Sequence, residues 1–304
     1  MNGVAERPLR AWDRPVFVLT TGRSGSTLLL RYLNCAKDLV VWGEHAAILT
    51  ELAACYAKLT KPSTMAFVAA AEPWVDSLLC KSAVVCASDQ MTIEWANSFS
   101  AATIRESFRN FLFSLLNQRM PGELRWGFKE IHYGRREMNF LRELFAGARF
   151  LVLVRHPANV LKSKFTWFAM RDVARMQAHF DQTLRFYQFA HEEAASRNSD
   201  TMLVHYEDLA ATPAAEMARV AAFLDAELLD GQLNAIIRER SVSPATDRDN
   251  PEDALRGALG KIDVTVDEVK MRQLADLYRG IIACSYDRQP GRAEGLESAI
   301  GAAA

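Results

Sequence analysis

The chain has no dominant charge. Its 36 Lys and Arg stand against 37 Asp and Glu, a formal net charge of −1. No global field therefore argues for nucleic acid or an anionic membrane surface as a partner. It also lacks a cysteine framework. Cys35, Cys55, Cys80, Cys86 and Cys284 are odd in number and form no C-x-x-C pair, which argues against structural disulfides and zinc and for a reducing compartment. No apolar run approaches the length of a membrane span, and the opening "MNGVAERPLRAWDRP" has no apolar signal-peptide core. The expectation is a soluble, cytoplasmic protein without a membrane span, monomeric or homodimeric.

What the chain has is apolar residues, half of its 304, ample for a sizeable core. "VFVLT" (16–20) and "RFLVLV" (149–154) read as buried strands, and "LVVW" (39–42), "RWGFKE" (125–130) and "TMLVHY" (201–206) as further ones. Helical patterns cover 26–35, 44–59, 104–116, 172–196, 213–224, 229–240 and 266–283, and Ser63 or Thr64 caps another running towards Leu79. Residues 241–262 show no clear period, and 291–304 read as a flexible tail. Strands alternating with helices predict an α/β fold with a mainly parallel sheet. No linker divides it: a single domain over 1–290 is expected, with a helical insertion at about 45–120 that covers the active site.

Two strand-turn-helix segments carry chemistry. In the first, Gly22-Arg23-Ser24-Gly25-Ser26-Thr27 follows strand 16–20. Glycines free the backbone so that N–H groups converge, the following helix adds its positive end, and Arg23 with the hydroxyls adds donors for an anion. The nucleotide P-loop G-x-x-x-x-G-K-[ST] is not met: the glycines are too close and no lysine precedes the hydroxyl residue. A turn without a ligand is the alternative. In the second segment, Arg155 ends strand 149–154 and Ser163 follows eight positions later in a helix. Open α/β sheets bind ligands at that carboxyl edge, although, taken alone, an arginine paired with a surface carboxylate and a serine merely tolerated in the helix is the better reading.

Together these segments resemble the PAPS-dependent sulfotransferases, PAPS being 3′-phosphoadenosine 5′-phosphosulfate. "TTGRSGSTLL" is similar to their 5′-phosphosulfate loop, "LVRHPANVLKSKF" to their 3′-phosphate motif, and "VHYEDLAATPAAEMARVAAFLD" to a later Y-E-D-L segment. Arg23 in the loop and the Lys129-Glu130 pair place the chain nearer the tyrosylprotein and bacterial carbohydrate or glycolipid branch.

The resemblance implies a P-loop-like three-layer fold and transfer of a sulfuryl group from PAPS, as co-substrate, to a hydroxyl or amine of a small acceptor, without a metal. Gly22, Arg23, Ser24, Gly25, Ser26 and Thr27 would hold the 5′ end, Arg155 and Ser163 the 3′-phosphate, and Tyr206 the nucleotide, with Ser241 and Lys261 in a covering segment. Arg23 and Lys129 would neutralise developing charge. Glu44 is the first choice for general base, with His45 and His132 behind it. Two rival readings stay open: a P-loop small-molecule kinase and a non-catalytic nucleotide-binding protein.

Overall fold

The computed structural model describes residues 11–69, 99–117, 123–167, 172–239, 250–260 and 267–286. The chain forms two compact units: residues 1–47, 122–135 and 148–304, and residues 48–121 with 136–147.

The first unit contains a five-stranded parallel sheet in the order β2-β3-β1-β4-β5. The strands are β1 (Val16–Thr20), β2 (Leu39–Trp42), β3 (Arg125–Glu130), β4 (Arg149–Val154) and β5 (Thr201–His205). Strands β1, β3 and β5 are buried at every position, as expected where helices cover both faces. Edge strand β2 instead alternates and leaves Trp42 exposed. The register stacks Phe17 beside Phe128 and Phe150 on one face, with ring centroids 4.6 and 5.6 Å away. The other face carries Val16, Val18, Leu151 and Leu153. Burying each such side chain contributes roughly 1.5–3 kcal/mol.

Helices along the chain include α1 (Ser26–Leu33), α2 (Leu49–Leu59), α3 (Ala101–Leu116), α4 (Arg135–Leu144), α5 (Pro157–Trp167), α6 (Val173–Ser196), α7 (Tyr206–Ala211), α8 (Pro213–Leu224), α9 (Asp230–Glu239), α10 (Pro251–Gly260) and α11 (Glu268–Tyr286). Helices α1, α8 and α9 pack on the aliphatic face through Leu29, Val220 and Leu233. Helix α6 packs on β4, and α11 on α6. Pro157 and Pro213 occupy the first helical position, where a missing N–H is harmless, and Asp172 caps α6 with its carboxylate.

The second unit holds α2, α3 and most of α4. Ser100 caps α3 by accepting from Thr103 N–H, and the Tyr56 ring meets Phe108 and Phe140 at centroid distances of 5.3 and 5.2 Å.

Three sequence expectations change. The helix expected from Glu44 begins only at Leu49; residues 43–48 are irregular, with Ala46 and Ala47 at φ 57° and 58°. The helix expected to be capped by Ser63 or Thr64 already starts at residue 62, with Met65 N–H bonding Lys61 O. Finally, the polar stretch 241–262 contains α10, with Pro251 first, acids in the first turn, and Leu255 and Leu259 buried. No helix of the described residues is long and apolar enough to cross a membrane.

Candidate active site

Because all strands run parallel, the turns after β1, β2, β3 and β4 emerge at one edge of the sheet. The central strand β1 has neighbours β3 and β4 whose chain connections diverge, the position at which open α/β sheets form a ligand crevice. A cavity of about 410 Å³ lies there, within the first unit. Its lining includes Gly22, Arg23, Gly25, Ser26 and Thr27 after β1, Glu44 after β2, His132 after β3, and Arg155 with Ser163 after β4.

The first loop is built by its glycines and by β1. Gly25 stands at φ 90°, and a Cβ there would lie 2.2 Å from the Tyr206 ring, so only glycine fits. Helix α1 starts from Gly25 with no side-chain cap, which leaves its first-turn N–H groups to a ligand or solvent. Ser24 is fully buried. Its hydroxyl lies 2.7 Å from that of Thr20, which is itself 2.7 Å from Leu153 O. Ser24 therefore ties the loop to β4 and does not line the cavity.

The two segments brace one another. Arg23, at φ 68°, donates from Nε to Ser163 Oγ at 3.1 Å and stacks its guanidinium 4.3 Å from the Trp167 ring centre. Arg155 donates from Nη1 to the carbonyl oxygen of Arg23 at 3.1 Å. Tyr187 donates its hydroxyl to Arg155 O, and Glu207 accepts the His156 N–H at 2.8 Å. The Arg155 guanidinium rests 4.2 Å from the Tyr206 ring centre, and its Nε is buried with no hydrogen-bond partner. An orphaned guanidinium donor in a cavity wall suits an anionic ligand. Tyr206 itself is buried between Arg155 and Gly25, where it props both up.

Glu44, which also lines the cavity, forms an ion pair with Lys129, not the Lys129–Glu130 pair that adjacency in sequence suggests. Glu130 is fully buried and accepts four bonds: from His132 Nδ1 at 2.9 Å, Ile131 N–H at 2.8 Å, Ala47 N–H at 3.2 Å and His45 N–H at 3.3 Å. Burial opposes its ionisation, but these donors, His132 foremost, outweigh it and hold the carboxyl at about 2. An ionised carboxylate only accepts, so His132 Nδ1 carries a proton and Nε2 is the ring's remaining nitrogen. The bond to Glu130 raises the His132 pKa against the pull of burial. His45 is placed differently: its Nε2 lies 2.7 Å from the Tyr133 hydroxyl, its ring packs on Phe128, and burial lowers its pKa. It does not line the cavity.

Ser241 and Lys261 lie outside the described residues. The sequence reading missed Glu130 as the anchor of His132, and it missed Lys164, a buried lysine in the cavity wall. Among the described residues no cluster of His, Cys, Asp or Glu is grouped to hold a metal ion.

The model of the sulfotransferase family matches residues 15–230. No curated protein matches the chain. Among solved structures, the sulfotransferase domain of the Synechococcus PCC 7002 olefin synthase is 18% identical, over 90% of this chain and 97% of that one, with a TM-score of 0.51. The sulfotransferase domain from the curacin biosynthetic pathway is 15% identical over 91% and 98%, with a TM-score of 0.46. A mouse sulfotransferase in complex with PAP is 12% identical over 97% and 91%, with a TM-score of 0.44.

Proposed function

The chain belongs to the sulfotransferase family, and from that premise we propose that it moves a sulfuryl group from PAPS to a hydroxyl or amine of a small acceptor, by in-line displacement. The observation that carries this reading is the mutual bracing of Arg23, Arg155 and Ser163 around one cavity. A ligand anionic at two separated points needs two cationic holders at a set spacing, and here each arginine touches the other's segment. Gly22 to Thr27 would receive the 5′ end. Arg155, with its spare Nε, and Ser163 would hold the 3′-phosphate through charge-assisted bonds. Arg23 would oppose charge growing on the leaving phosphate, where positioning and electrostatics do most of the work.

The geometry favours His132 as the base that takes the acceptor proton. Glu130 orients its ring and raises its basicity, leaving Nε2 for the acceptor, as a buried carboxylate does for a catalytic imidazole. Glu44 remains the second reading, since it lines the same cavity; its ion pair with Lys129 makes it a less available proton acceptor. Neither rival reading gains support: the loop lacks a Walker lysine, and an oriented imidazole serves no purpose in a pure binder.

The preferred acceptor is a metabolite, natural product or carbohydrate of small size. Transfer of label from PAPS into a metabolite extract, with the product identified by mass, tests the reaction. Adenosine 3′,5′-bisphosphate is expected to raise the melting temperature. A folded protein that shows neither the shift at millimolar ligand nor any labelled product does not perform this reaction.

A further inference from the structure

Lys164 follows Ser163 on α5, yet its side chain turns inward under the first loop. It is 2% exposed, and a Cβ on Gly22 would lie 3.7 Å from its Cε. Nζ donates to Thr21 Oγ1 and Thr183 Oγ1, each at 2.9 Å. Thr183 gives its own proton to His179 O at 2.8 Å, so it can only accept from the lysine. An ammonium carries three protons, and these two threonines use two. No carboxylate pairs with Lys164 among the described residues, and burial alone acts on it, lowering its pKa to about 7.

The charged groups around it come from every neighbouring turn: Arg23 from the first loop, Glu44 after β2, His132 after β3, Arg155 after β4, and His179 on α6. Glu44 is the one acid among them and is committed to Lys129. The bond to Glu130 raises the His132 pKa, with burial and the Lys164 charge opposing it, while burial lowers that of His179 and the charges of Lys164 and Arg175 add to the effect. A buried lysine without a counter-ion, in a cavity walled by arginines and histidines, is a poor arrangement for the empty protein and a good one for a multiply charged anion.

We infer that Lys164 is a further ligand-binding residue of this site, donating its third proton to the phosphate end of the co-substrate and binding that anion together with a proton from solvent. The inference rests on the functional reading above. In the free protein the amine gives up its proton above about pH 7. A bound anion restores the ammonium, so binding is accompanied by proton uptake. Lys164 thereby supplies the lysine that the loop lacks, from the helix behind it and in a pH-dependent form.

Calorimetry with adenosine 3′,5′-bisphosphate at pH 8, in buffers of different ionisation enthalpy, counts the protons. The ligand's own phosphates, with second pKa values of about 6, are already ionised there. The wild-type protein should take up close to one proton, and its affinity should fall by up to about tenfold from pH 7.5 to pH 8.5. Lys164→Met should bind more weakly, with uptake and pH dependence both lost. His132→Asn should retain them. Wild-type binding without proton uptake, or equal uptake by Lys164→Met, overturns the inference; should Lys164→Met not fold, wild type and His132→Asn decide it between them. No bisphosphate binding by the wild type overturns the functional reading instead.

Discussion

Arg23 and Ser163 are hydrogen-bonded at 3.1 Å although 140 residues separate them. The sequence reading assigns these residues to opposite ends of one co-substrate, and the fold brings them into contact. The loop's cation is thus held by the helix that follows β4. Loss of either residue should weaken bisphosphate binding. The double variant Arg23→Gln/Ser163→Ala should lose less than the sum of the singles, with a coupling of about 1 kcal/mol. Additive losses in titration calorimetry would show that the two act independently.

The pH–rate profile should report the Glu130–His132 pair. His132 must be neutral to accept a proton, so turnover should fall as pH drops through its raised pKa. Glu130→Gln removes the charge that raises it, and the acid limb should move to lower pH while maximal turnover declines. His132→Asn should cost about 10²–10⁴-fold in kcat. If Glu44→Gln abolishes turnover and His132→Asn does not, the base is Glu44.

Lys164 should make the free protein less stable at low pH. Its pKa is lowered from the ordinary 10.5 to about 7. Between those values the unfolded chain holds a proton that the folded protein does not, so stability from this residue rises with pH across that window. Below about pH 7 the buried charge is fully present. Lys164→Met should therefore gain most over wild type near pH 6.5, with the difference shrinking towards pH 9 in denaturant midpoints. A difference that does not change with pH would mean that the amine is not desolvated in solution.

Gly25→Ala should abolish ligand stabilisation. A Cβ would meet Tyr206 Cδ2 at 2.2 Å with the backbone at φ 90°, so the loop must move away from Tyr206 and Arg155. The bisphosphate-induced rise in melting temperature should disappear. Trimming the ring with Tyr206→Ala should restore little, because the strained φ remains. Full recovery in that double variant would make the contact, and not the backbone, the decisive factor.

Much of the frame could be read from local pattern. β1, β4 and Pro213–Leu224 lie where the apolar runs and the helix-starting proline place them. The segment after β2 could not. "GEHAAILTELAACYAKL" has a helical composition, but Glu130 captures the N–H groups of His45 and Ala47 from 85 and 83 residues away. A buried carboxylate satisfied by those donors outweighs local helix propensity. Helix α10 was legible in principle, since Pro251, two acids and the Leu255–Leu259 spacing are local signals.

The sequence by itself determined the α/β order, the glycine-rich strand-to-helix turn without a Walker lysine, and the spacing of Arg155 and Ser163 eight positions apart. These depend on neighbours along the chain, on apolar runs and on glycine placement. Only the tertiary structure decided which carboxylate meets which base: Glu44 with Lys129, and Glu130 with His132. It alone turned Lys164 inward onto Thr21 and Thr183, residues 143 and 19 positions away. Charge and proton placement depend on burial and on partners remote in sequence, and the chain acquires both only when the sheet edge is assembled.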